Sequence, residues 1–296
     1  MCIICHCPSA GVEVDAGSYC YAVCPDCGHG WLSPLPSKEA ALSLYGEAYF
    51  KGSNQGGYLD YEGDEFIHRH NARGRLKHIE NARSRKRMST LLDVGASVGF
   101  FLDQARSAGW QVEGVEVSSW ARDRAAARFG LLLYKNLEEL VVEGARFDVV
   151  TLAQVLEHIP DPRKTLELVK RILAPEGVLF IETWDRESLP ARLLRGHWQQ
   201  LSPPSVVHLF SRRSIAHLLQ QEGFDSVRMH MGYKLVSAGF VLNLLRSKMS
   251  ATADRSPVSA RLSSFLSRVP LPYLASDLLW VIARAPQDPV SPINYL

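Results

Sequence analysis

Two Cys-x-x-Cys pairs near the start of the chain have the residue types and spacing of a metal site. They are Cys2-Ile-Ile-Cys5 and Cys24-Pro-Asp-Cys27, separated by residues 6–23. Each pair can direct two thiolates at one point, and four thiolates complete the closed tetrahedral coordination that Zn²⁺ adopts in structural sites. The sequence therefore predicts that these four cysteines bind a structural Zn²⁺ that takes no part in catalysis.

The neighbouring cysteines and histidines leave this ligand set partly open. All six cysteines lie within the first 27 residues, whereas the disulfides of a secreted protein would be spread over the fold that they stabilise. The pairs could also be reduced thiols in a small hydrophobic lobe, or a redox dithiol. Two pairs at this spacing favour zinc over both, although four other side chains could replace a ligand: Cys7, Cys20, His6 and His29.

A second chemical pattern is a turn of small residues between a predicted strand and a predicted helix. Thr90–Val94 is a short apolar strand, Gly95-Ala96-Ser97-Val98-Gly99 is the turn, and the helix that starts at Phe100 stops before Gly109. This arrangement lets the backbone approach a nucleotide-like ligand closely. The next predicted strand, 112–117, carries Glu116, which could accept hydrogen bonds from two ribose hydroxyls.

Several motifs, in chain order, resemble those of class I S-adenosylmethionine-dependent methyltransferases. Leu-Leu-Asp-Val-Gly-Ala-Ser-Val-Gly-Phe-Phe-Leu (91–102) resembles the first motif of that family, and Gly-Val-Glu-Val-Ser (114–118) the second. The fourth-strand motif with its Glu-His, the fifth strand and the following helix have counterparts at 147–162, 173–183 and 208–224. The double cysteine pair followed by a Pro-x-Pro segment is similar to a subgroup of these enzymes.

The resemblance implies a fold, a cofactor and a set of binding residues. The fold would be α/β and Rossmann-like: a mostly parallel seven-stranded sheet with helices on both faces and an antiparallel last strand, plus a small N-terminal zinc-ribbon-like module. The cofactor would be S-adenosylmethionine. Its methionine end, ribose and adenine would contact Asp93, Gly95, Ala96, Ser97, Gly99, Glu116, Val117, Asn136, Leu137, Ala153 and Gln154. The family commonly has glycine where Ser97 stands, and serine is small enough for binding to survive.

Two histidines are candidate catalytic bases. If the methyl acceptor is a hydroxyl, its proton must leave, and histidine is the usual base near neutral pH. His158 is expected at the carboxyl edge of the sheet, where open α/β sheets bind ligands, and His208 on a loop near the same edge. His197 is a third candidate. Each of them could instead bond a backbone carbonyl or shape a turn.

The motifs and composition predict five segments. They are a zinc-binding module at 1–36, a helical connector at 37–88, the methyltransferase core at 89–233, an amphipathic helical insertion at 234–276, and the last strand and tail at 277–296. The insertion contains two amphipathic stretches, Leu235–Leu245 and Val258–Val269. These could form a lid over the acceptor, a homodimer face or a membrane-surface contact, of which a lid or dimer face is preferred.

Charge and hydropathy limit the classes of partner. The formal net charge of the 296 residues is +2, which predicts no global attraction to nucleic acid. Residues 69–87 hold eight Lys or Arg against one acid, and we interpret them as the solvated face of a helix that buries Phe66, Leu76 and Ile79. No apolar run reaches the roughly 18 residues of a membrane span, and no secretory signal is recognisable, so a cytoplasmic location is expected.

Three functions follow from these observations. The leading one is methyl transfer by in-line displacement from S-adenosylmethionine to a small-molecule acceptor, such as a sugar or natural-product intermediate. An RNA methyltransferase with a zinc module is the first alternative, favoured by the basic run and opposed by the total charge. The second is a non-catalytic protein that only binds the cofactor. A nicotinamide-dependent enzyme is disfavoured because the spacing of Gly-x-Gly-x-x-Gly is absent.

Overall fold

The chain alternates strands and helices through most of its length. The computed structural model describes residues 1–9, 11–16, 19–52, 60–83, 89–239, 241, 269–273 and 276–286. The strands are β1 (Gly11–Ala16), β2 (Tyr19–Val23), β3 (Gly30–Ser33), β4 (Thr90–Val94), β5 (Gln111–Val115), β6 (Phe147–Ala153), β7 (Leu173–Trp184), β8 (His208–Leu209), β9 (Asp225–Met231), β10 (Leu235–Ser237), β11 (Pro270–Pro272) and β12 (Leu278–Arg284). The α-helices are α1 (Lys38–Ser43), α2 (Glu47–Phe50), α3 (Glu65–Ala82), α4 (Phe100–Ser107), α5 (Ser119–Phe129), α6 (Leu137–Val142), α7 (Pro162–Ile172), α8 (Leu189–Leu194) and α9 (Arg212–Gln221).

A mixed sheet with the order β5-β4-β6-β7-β12-β9 forms the centre of the molecule. The first four strands are parallel, and β12 runs antiparallel to both of its neighbours. The carboxyl ends of β4, β5, β6, β7 and β9 and the start of β12 therefore share one edge. The Rossmann-like methyltransferase fold is confirmed, including the antiparallel last strand.

The described part of this sheet has six strands rather than the predicted seven. Beside β5, where a seventh strand would lie, a single parallel bridge joins Val115 to Tyr134. The segment that contains Tyr134 is short because α5 ends at the left-handed Gly130 and Asn136 already caps α6. Few residues remain between these caps, so the strand is reduced to one bridge.

Side-chain caps explain where two helices that follow strands of the central sheet, α5 and α7, begin. The Asp161 side chain accepts a hydrogen bond from the Lys164 amide, and Pro162 occupies the first turn of α7. Ser118 caps α5 in the same way through the Ala121 amide. These caps hold each helix start directly after the strand or turn that precedes it.

The N-terminal residues form a second sheet that includes a strand from the core. Its order is β1-β2-β3-β8, and the register pairs Gly30 with Leu209 and Trp31 with His208. Cys2, Cys24 and Cys27 belong to the same buried cluster as side chains of the central sheet. The N-terminal lobe is thus joined to the core by backbone pairing and by apolar packing.

Three side chains of the core bind the backbone of the cysteine pairs. The Arg163 guanidinium donates to the carbonyls of Ile3 (2.7 Å) and Ile4 (2.6 Å) and to Glu222 (2.6 Å). Arg186 and Ser211 donate to the carbonyls of Gly28 and Cys27, each at 3.0 Å. Both pairs are therefore held against the core by hydrogen bonds to their own turns.

Helix α3 buries most of the predicted apolar face but not all of it. Leu76 and Ile79 are buried as expected, whereas Phe66 is 61% exposed, so its assignment to the buried face is wrong. Ile67, its neighbour in sequence, takes the inward position instead. Part of the basic run is used within the fold, because Arg69 pairs with Glu65 and Asp103; the part at 84–88 lies outside the described residues.

The predicted helical insertion begins and ends as strands. Leu235–Ser237 and Pro270–Pro272 pair as β10 and β11, so a helix starting at Leu235 is wrong, and the helical residues that follow begin at Ala238. Asn71 of α3 fixes β10, because its amide side chain both donates to the Leu235 carbonyl (2.9 Å) and accepts from the Leu235 amide (2.7 Å). The second amphipathic stretch, up to residue 268, lies outside the described residues. Among the described helices, none has the length and apolarity needed to cross a membrane.

The arginine that binds the first cysteine pair should stabilise the N-terminal lobe. We expect Arg163→Met to lower the free energy of unfolding by about 2 kcal/mol, because the charge-assisted hydrogen bonds to the carbonyls of Ile3 and Ile4 are lost. Urea denaturation measures this change. Arg146→Met is the matched control, since Arg146 is exposed and bonds the carbonyl of its own neighbour. Equal stability of both variants would show that the Arg163 contacts contribute nothing.

Candidate functional site

At the carboxyl edge of the sheet, the backbone of the turn after β4 is not covered by side chains. Gly95 and Gly99 have positive φ angles of 79° and 91°. A Cβ on Gly95 would lie 2.4 Å from Val155 Cγ2, and one on Gly99 would lie 2.9 Å from Leu131 Cδ1. Both positions therefore require glycine, and Gly95 itself remains exposed.

Ser97 stands at the centre of this turn in a left-handed conformation, with φ 52°. This conformation explains why glycine is common at the position in the family. The Ser97 hydroxyl is buried and has no hydrogen-bond partner among the described residues. A buried hydroxyl without a partner can be satisfied by a ligand, so the residue that departs from the family pattern adds a polar group to the turn.

Glu116 lies beside the turn and is directed into it. One carboxylate oxygen accepts from the Ser97 amide and the other from the Ser118 amide, both at 2.8 Å. Burial raises the pKa of Glu116, and these two amide donors oppose the shift. Each oxygen keeps a free lone pair, so the carboxylate can also accept hydroxyl donors. Val117, the next residue, is exposed beside it.

Asp93 supports the turn from below. It is buried at the end of β4, and the Thr151 hydroxyl donates to it at 2.5 Å. Burial raises its pKa to about 7, although the Thr151 hydrogen bond and the charge of Arg75 oppose this. The Asp93 carboxyl is therefore expected to gain or lose its proton close to neutral pH.

Asn136 and Leu137 lie at the β5 side of the edge. The Glu116 amide donates to the Tyr134 carbonyl at 2.9 Å, which brings this segment beside Glu116. The Asn136 side chain caps α6 by accepting from the Glu139 amide at 3.1 Å, and Leu137 is buried. Asn136 and Leu137 thus lie on the side of Glu116 that faces away from β6.

Ala153 is the last residue of β6, and Gln154 follows it. The two residues connect β7 with the cradle, by which we mean the turn at 95–99 together with Glu116. Gln154 has a positive φ of 58°, and its amide donates to the Glu182 carbonyl at 2.7 Å. Its side-chain amide donates to the Glu182 carboxylate at 2.8 Å. These two bonds fix the direction of the Gln154 side chain at the edge.

The Glu182 carboxylate is fully buried and has four donors. Besides Gln154, these are Arg75 Nε (2.9 Å), Arg75 Nη2 (2.5 Å) and Trp280 Nε1 (2.6 Å). Burial alone would raise its pKa, but the charge and hydrogen bonds of Arg75 hold the pKa below its ordinary value. Sequence reasoning missed both residues, since Arg75 lies in α3, outside the motifs, and Glu182 reads as one polar residue in an apolar strand.

The two candidate catalytic histidines occupy different surroundings. His158 lies in the short 3₁₀ turn Leu156–His158 after β6, and its Nδ1 donates to the Ser205 carbonyl at 2.6 Å. Burial lowers its pKa, so the ring is neutral at pH 7 with Nε2 as the basic nitrogen. His208 is buried in β8 with its ring 5.1 Å from that of His29, on the side of the N-terminal lobe.

A polar group that the sequence did not predict lies over β7 and β12. Glu157 is buried; one of its oxygens accepts from the Thr183 hydroxyl at 3.1 Å, and the other has no partner among the described residues. Burial raises the Glu157 pKa to about 8. The charge of Lys234 opposes that shift, and Asp277 lies close enough to Lys234 to raise the pKa of its ammonium. Two carboxyls and an ammonium thus adjoin the end of the sheet beyond Gln154.

The four cysteines of the two pairs come together as predicted. Their sulfur atoms lie within 4.8 Å of one another, with Cys2 and Cys27 Sγ 3.6 Å apart and Cys5 and Cys24 Sγ 3.3 Å apart. Tetrahedral Zn²⁺ with bonds of about 2.3 Å separates its sulfur ligands by about 3.8 Å, so the group is close to that geometry. Cys7 and Cys20 direct their thiols to carbonyls, and neither they nor His6 and His29 belong to the group.

Comparison with known sequences identifies the domain. A family profile for the methyltransferase domain matches residues 66–228, more than half of the chain. The ubiquinone biosynthesis O-methyltransferase of Actinobacillus pleuropneumoniae is 32% identical over 123 residues, 38% of this chain and 53% of the relative. The enzyme of the same name from Paraburkholderia phymatum is 32% identical over 105 residues, 32% of this chain and 44% of the relative. The chain spans about half the length of the curated relatives it matches.

Solved structures share the fold at low identity. An S-adenosylmethionine-dependent methyltransferase of Archaeoglobus fulgidus aligns with a TM-score of 0.51 and 16% identity, over 80% of this chain and 97% of that one. The YcgJ protein of Bacillus subtilis aligns with a TM-score of 0.51 and 17% identity, over 74% and 99%. With the profile match and the order of the motifs, these findings lead to one conclusion. The chain belongs to the class I S-adenosylmethionine-dependent methyltransferases.

Proposed function

We infer that the protein transfers a methyl group from S-adenosylmethionine to a hydroxyl group of a small-molecule acceptor. The observation that carries this proposal is the bare glycine turn with the Glu116 carboxylate directed into it. The bound cofactor supplies a methyl group on a sulfonium, which is already activated for in-line displacement. Transfer to oxygen is supported by the relatives, which are named as O-methyltransferases.

The residues of the cradle fit the cofactor in chemistry and order. Gly95, Ala96, Ser97 and Gly99 offer backbone and a free hydroxyl, and Glu116 offers lone pairs to the ribose hydroxyls. The exposed Val117 and the start of α6 at Asn136 and Leu137 are proposed for the adenine. Asp93, Ala153 and Gln154 are proposed for the methionine end.

The acceptor would then lie over β6, β7 and β12. The cradle occupies the β5 and β4 end of the edge, which leaves the edge at Gln154 and the strands beyond it for the acceptor. The protein's task is to orient the acceptor and exclude water, and good orientation can equal an effective concentration of about 10⁵–10⁸ M. The rigid hydrogen bonds from Gln154 to Glu182 serve that purpose.

His158 is the proposed proton acceptor. Its Nδ1–H is fixed on the Ser205 carbonyl, so Nε2 carries the lone pair, and burial keeps the ring neutral. His208 is a weaker candidate, because it donates through Nε2 to the Pro160 carbonyl (3.3 Å), its Nδ1 is buried, and burial lowers its pKa to about 4.

The RNA alternative loses part of its support. Arg69 and Arg75, two members of the basic run, are engaged with carboxylates of the fold, while Arg73 and Lys77 are exposed. A small-molecule acceptor therefore remains the preferred proposal. A homodimer, a cytoplasmic location and the segment boundaries at 36, 88, 233 and 276 stay predictions.

The four-cysteine group is proposed to bind a structural Zn²⁺. The donor set is all thiolate and closed, and both pairs are held by the core through their own backbone. A metal with four protein ligands has no position for substrate, so its contribution would be to the folding of the N-terminal lobe.

Replacing Glu116 tests the cofactor site. We expect Glu116→Ala to weaken S-adenosylhomocysteine binding by at least about 10-fold, because hydrogen bonds from ribose hydroxyls to a carboxylate are lost. Isothermal titration calorimetry measures the dissociation constant, and Glu113→Ala, which replaces an exposed acid of β5 three residues before Glu116, is the control. Unchanged affinity in the Glu116 variant, or no binding by the wild type, would refute the cofactor site.

Replacing His158 tests the proposed base. We expect His158→Gln to reduce kcat/KM by about 10²–10⁴-fold, with an acceptor found by screening metabolite extracts for methyl transfer. The neutral ring is active, and its pKa is lowered, so the acid limb of the wild-type pH profile should lie below pH 6.5. His70→Gln, which replaces an exposed histidine of α3, is the control. A His158 variant with the wild-type rate and acid limb would exclude the residue as the base.

The metal prediction is tested by serine substitution of one ligand. We expect Cys24→Ser to lose most of its zinc and to unfold more readily at the N-terminus, because three thiolates bind the ion more weakly than four. Elemental analysis measures the zinc content of the purified chain. Cys20→Ser should keep the wild-type content, since Cys20 bonds the Ser33 carbonyl instead. Full zinc occupancy in the Cys24 variant would show that the ligand set is incorrect.

A further inference from the structure

Lys234 lies at the carboxyl edge of the sheet, on the side away from the cofactor cradle. It follows the end of β9 and precedes β10, and its carbonyl accepts from the Tyr273 amide at 2.9 Å. The end of β9, the end of β7 and the start of β12 meet at this edge. Lys234 is therefore placed over the strands where the acceptor is proposed to lie.

The ammonium of Lys234 has aromatic neighbours but no counter-ion in contact. Its Nζ lies 4.3 Å from the centre of the Trp184 ring and 5.4 Å from that of Tyr273. Within the described part of the chain it makes no hydrogen bond and no ion pair. An ammonium has three donors and no acceptor, so these donors are available to a ligand.

The carboxyls near Lys234 are already used by other donors. Glu182 binds Arg75, Gln154 and Trp280, and Asp277 accepts from Trp198 Nε1 and the Tyr273 hydroxyl, both at 2.9 Å. The remaining carboxyl, Glu157, is held in its neutral form by burial. The positive charge of Lys234 is thus only partly compensated by the groups around it.

Burial of this ammonium has a measurable consequence. Loss of water lowers the Lys234 pKa to about 8, the attraction of Glu182 and Asp277 opposes the shift, and the charge of Arg75 adds to it. Lys234 is half-buried, and a cation that has lost part of its hydration is costly unless an anion is paired with it. An anionic ligand in contact with the ammonium would supply that missing partner.

We propose that Lys234 binds an anionic group, a carboxylate or a phosphate, on the methyl acceptor. This assignment of a substrate class rests on the proposed methyltransferase function. Trp184 and Tyr273 would enclose the same group from the sides, which favours a small molecule over a polymer. With one end fixed at Lys234, the acceptor can extend along the sheet edge toward Gln154 and the methyl group.

The carboxylate of the cofactor itself is a less suitable partner for Lys234. Arg75 lies near enough to Asp93 below the glycine turn for their charges to interact, and it is held beside Gln154 through Glu182. Among the titratable groups that interact with Lys234, the carboxyls Glu182, Asp277 and Glu157 lie on the β7 and β12 side, whereas Arg75 and His68 lie on α3. The carboxyl neighbours of the ammonium are therefore all at the end of the edge proposed for the acceptor.

Calorimetric titration with simple probes tests this proposal. The zinc-loaded full chain, with S-adenosylhomocysteine present, is titrated with phenyl phosphate, with benzoate and with neutral benzyl alcohol. We expect at least one anion to bind about 10-fold or more tightly than benzyl alcohol. Whichever anion binds more tightly identifies the group as phosphate or carboxylate.

Matched variants assign the preference to this residue. Lys234→Met keeps the aliphatic stem and should lose about 10-fold or more in affinity for the anions, with little change for benzyl alcohol. Lys234→Arg should retain part of the preference. Lys164→Met removes an exposed lysine and should behave as the wild type. Circular dichroism melting of each variant shows whether it is folded.

The pH dependence of the wild type gives a second measurement that needs no variant. The ammonium is charged below its pKa of about 8, and the neighbouring Glu157, whose pKa is also about 8, becomes an anion over the same range, so affinity for benzoate should fall above that pH. Benzyl alcohol should show no such fall. Benzoate binding that is unaffected up to pH 10 would contradict the proposal.

Three other outcomes would overturn it. They are equal affinity for charged and neutral probes, an unchanged preference in Lys234→Met, and weakened S-adenosylhomocysteine binding in that variant, which would assign the ammonium to the cofactor. Failure of the wild type to bind S-adenosylhomocysteine would instead contradict the methyltransferase proposal. The anion titrations without cofactor still decide the role of Lys234 in that case.

Discussion

The buried carboxylate of Glu182 is the contact on which the geometry of the edge depends. It joins α3 through Arg75, the end of β6 through Gln154, and β12 through Trp280. A buried ion pair of this kind need not add much net stability, because both charges lose their hydration. Its effect is to fix positions. Removing either Arg75 or Glu182 would leave a buried charge without compensation, so α3, the end of β6 and β12 are held in one arrangement.

The glycine turn and Glu116, which are proposed to bind the cofactor, could be located from sequence because their signals are local. A glycine turn between a strand and a helix, and an acid after the next strand, all lie within residues 90–117. Ser97 fits the same rule, since its positive φ marks the place where the family commonly has glycine. The cysteine group was predictable for the same reason, because each pair forms one short turn.

The polar residues at the β7 and β12 end of the edge, where the acceptor is proposed to lie, could not be predicted because they meet only through the fold. Arg75, Glu182 and Lys234 are far apart in sequence, and no local spacing relates them to one another. The strand pair β10 and β11 was missed because a short apolar run is compatible with either strand or helix, and its partner is distant in sequence. The exposure of Phe66 has the same origin: helical spacing permits either Phe66 or Ile67 on the buried face, and packing selects Ile67.

The N-terminal lobe reaches the acceptor side through backbone hydrogen bonds. The Leu32 amide of β3 donates to the Val207 carbonyl at 2.9 Å, and the Val207 amide donates to the Glu157 carbonyl at 2.8 Å. Ser205, two residues before Val207, holds the His158 ring. Because β3 begins shortly after the second cysteine pair, the conformation of that pair affects the positions of both Glu157 and His158. A cysteine group that is remote from the chemistry can therefore contribute to it by fixing one strand.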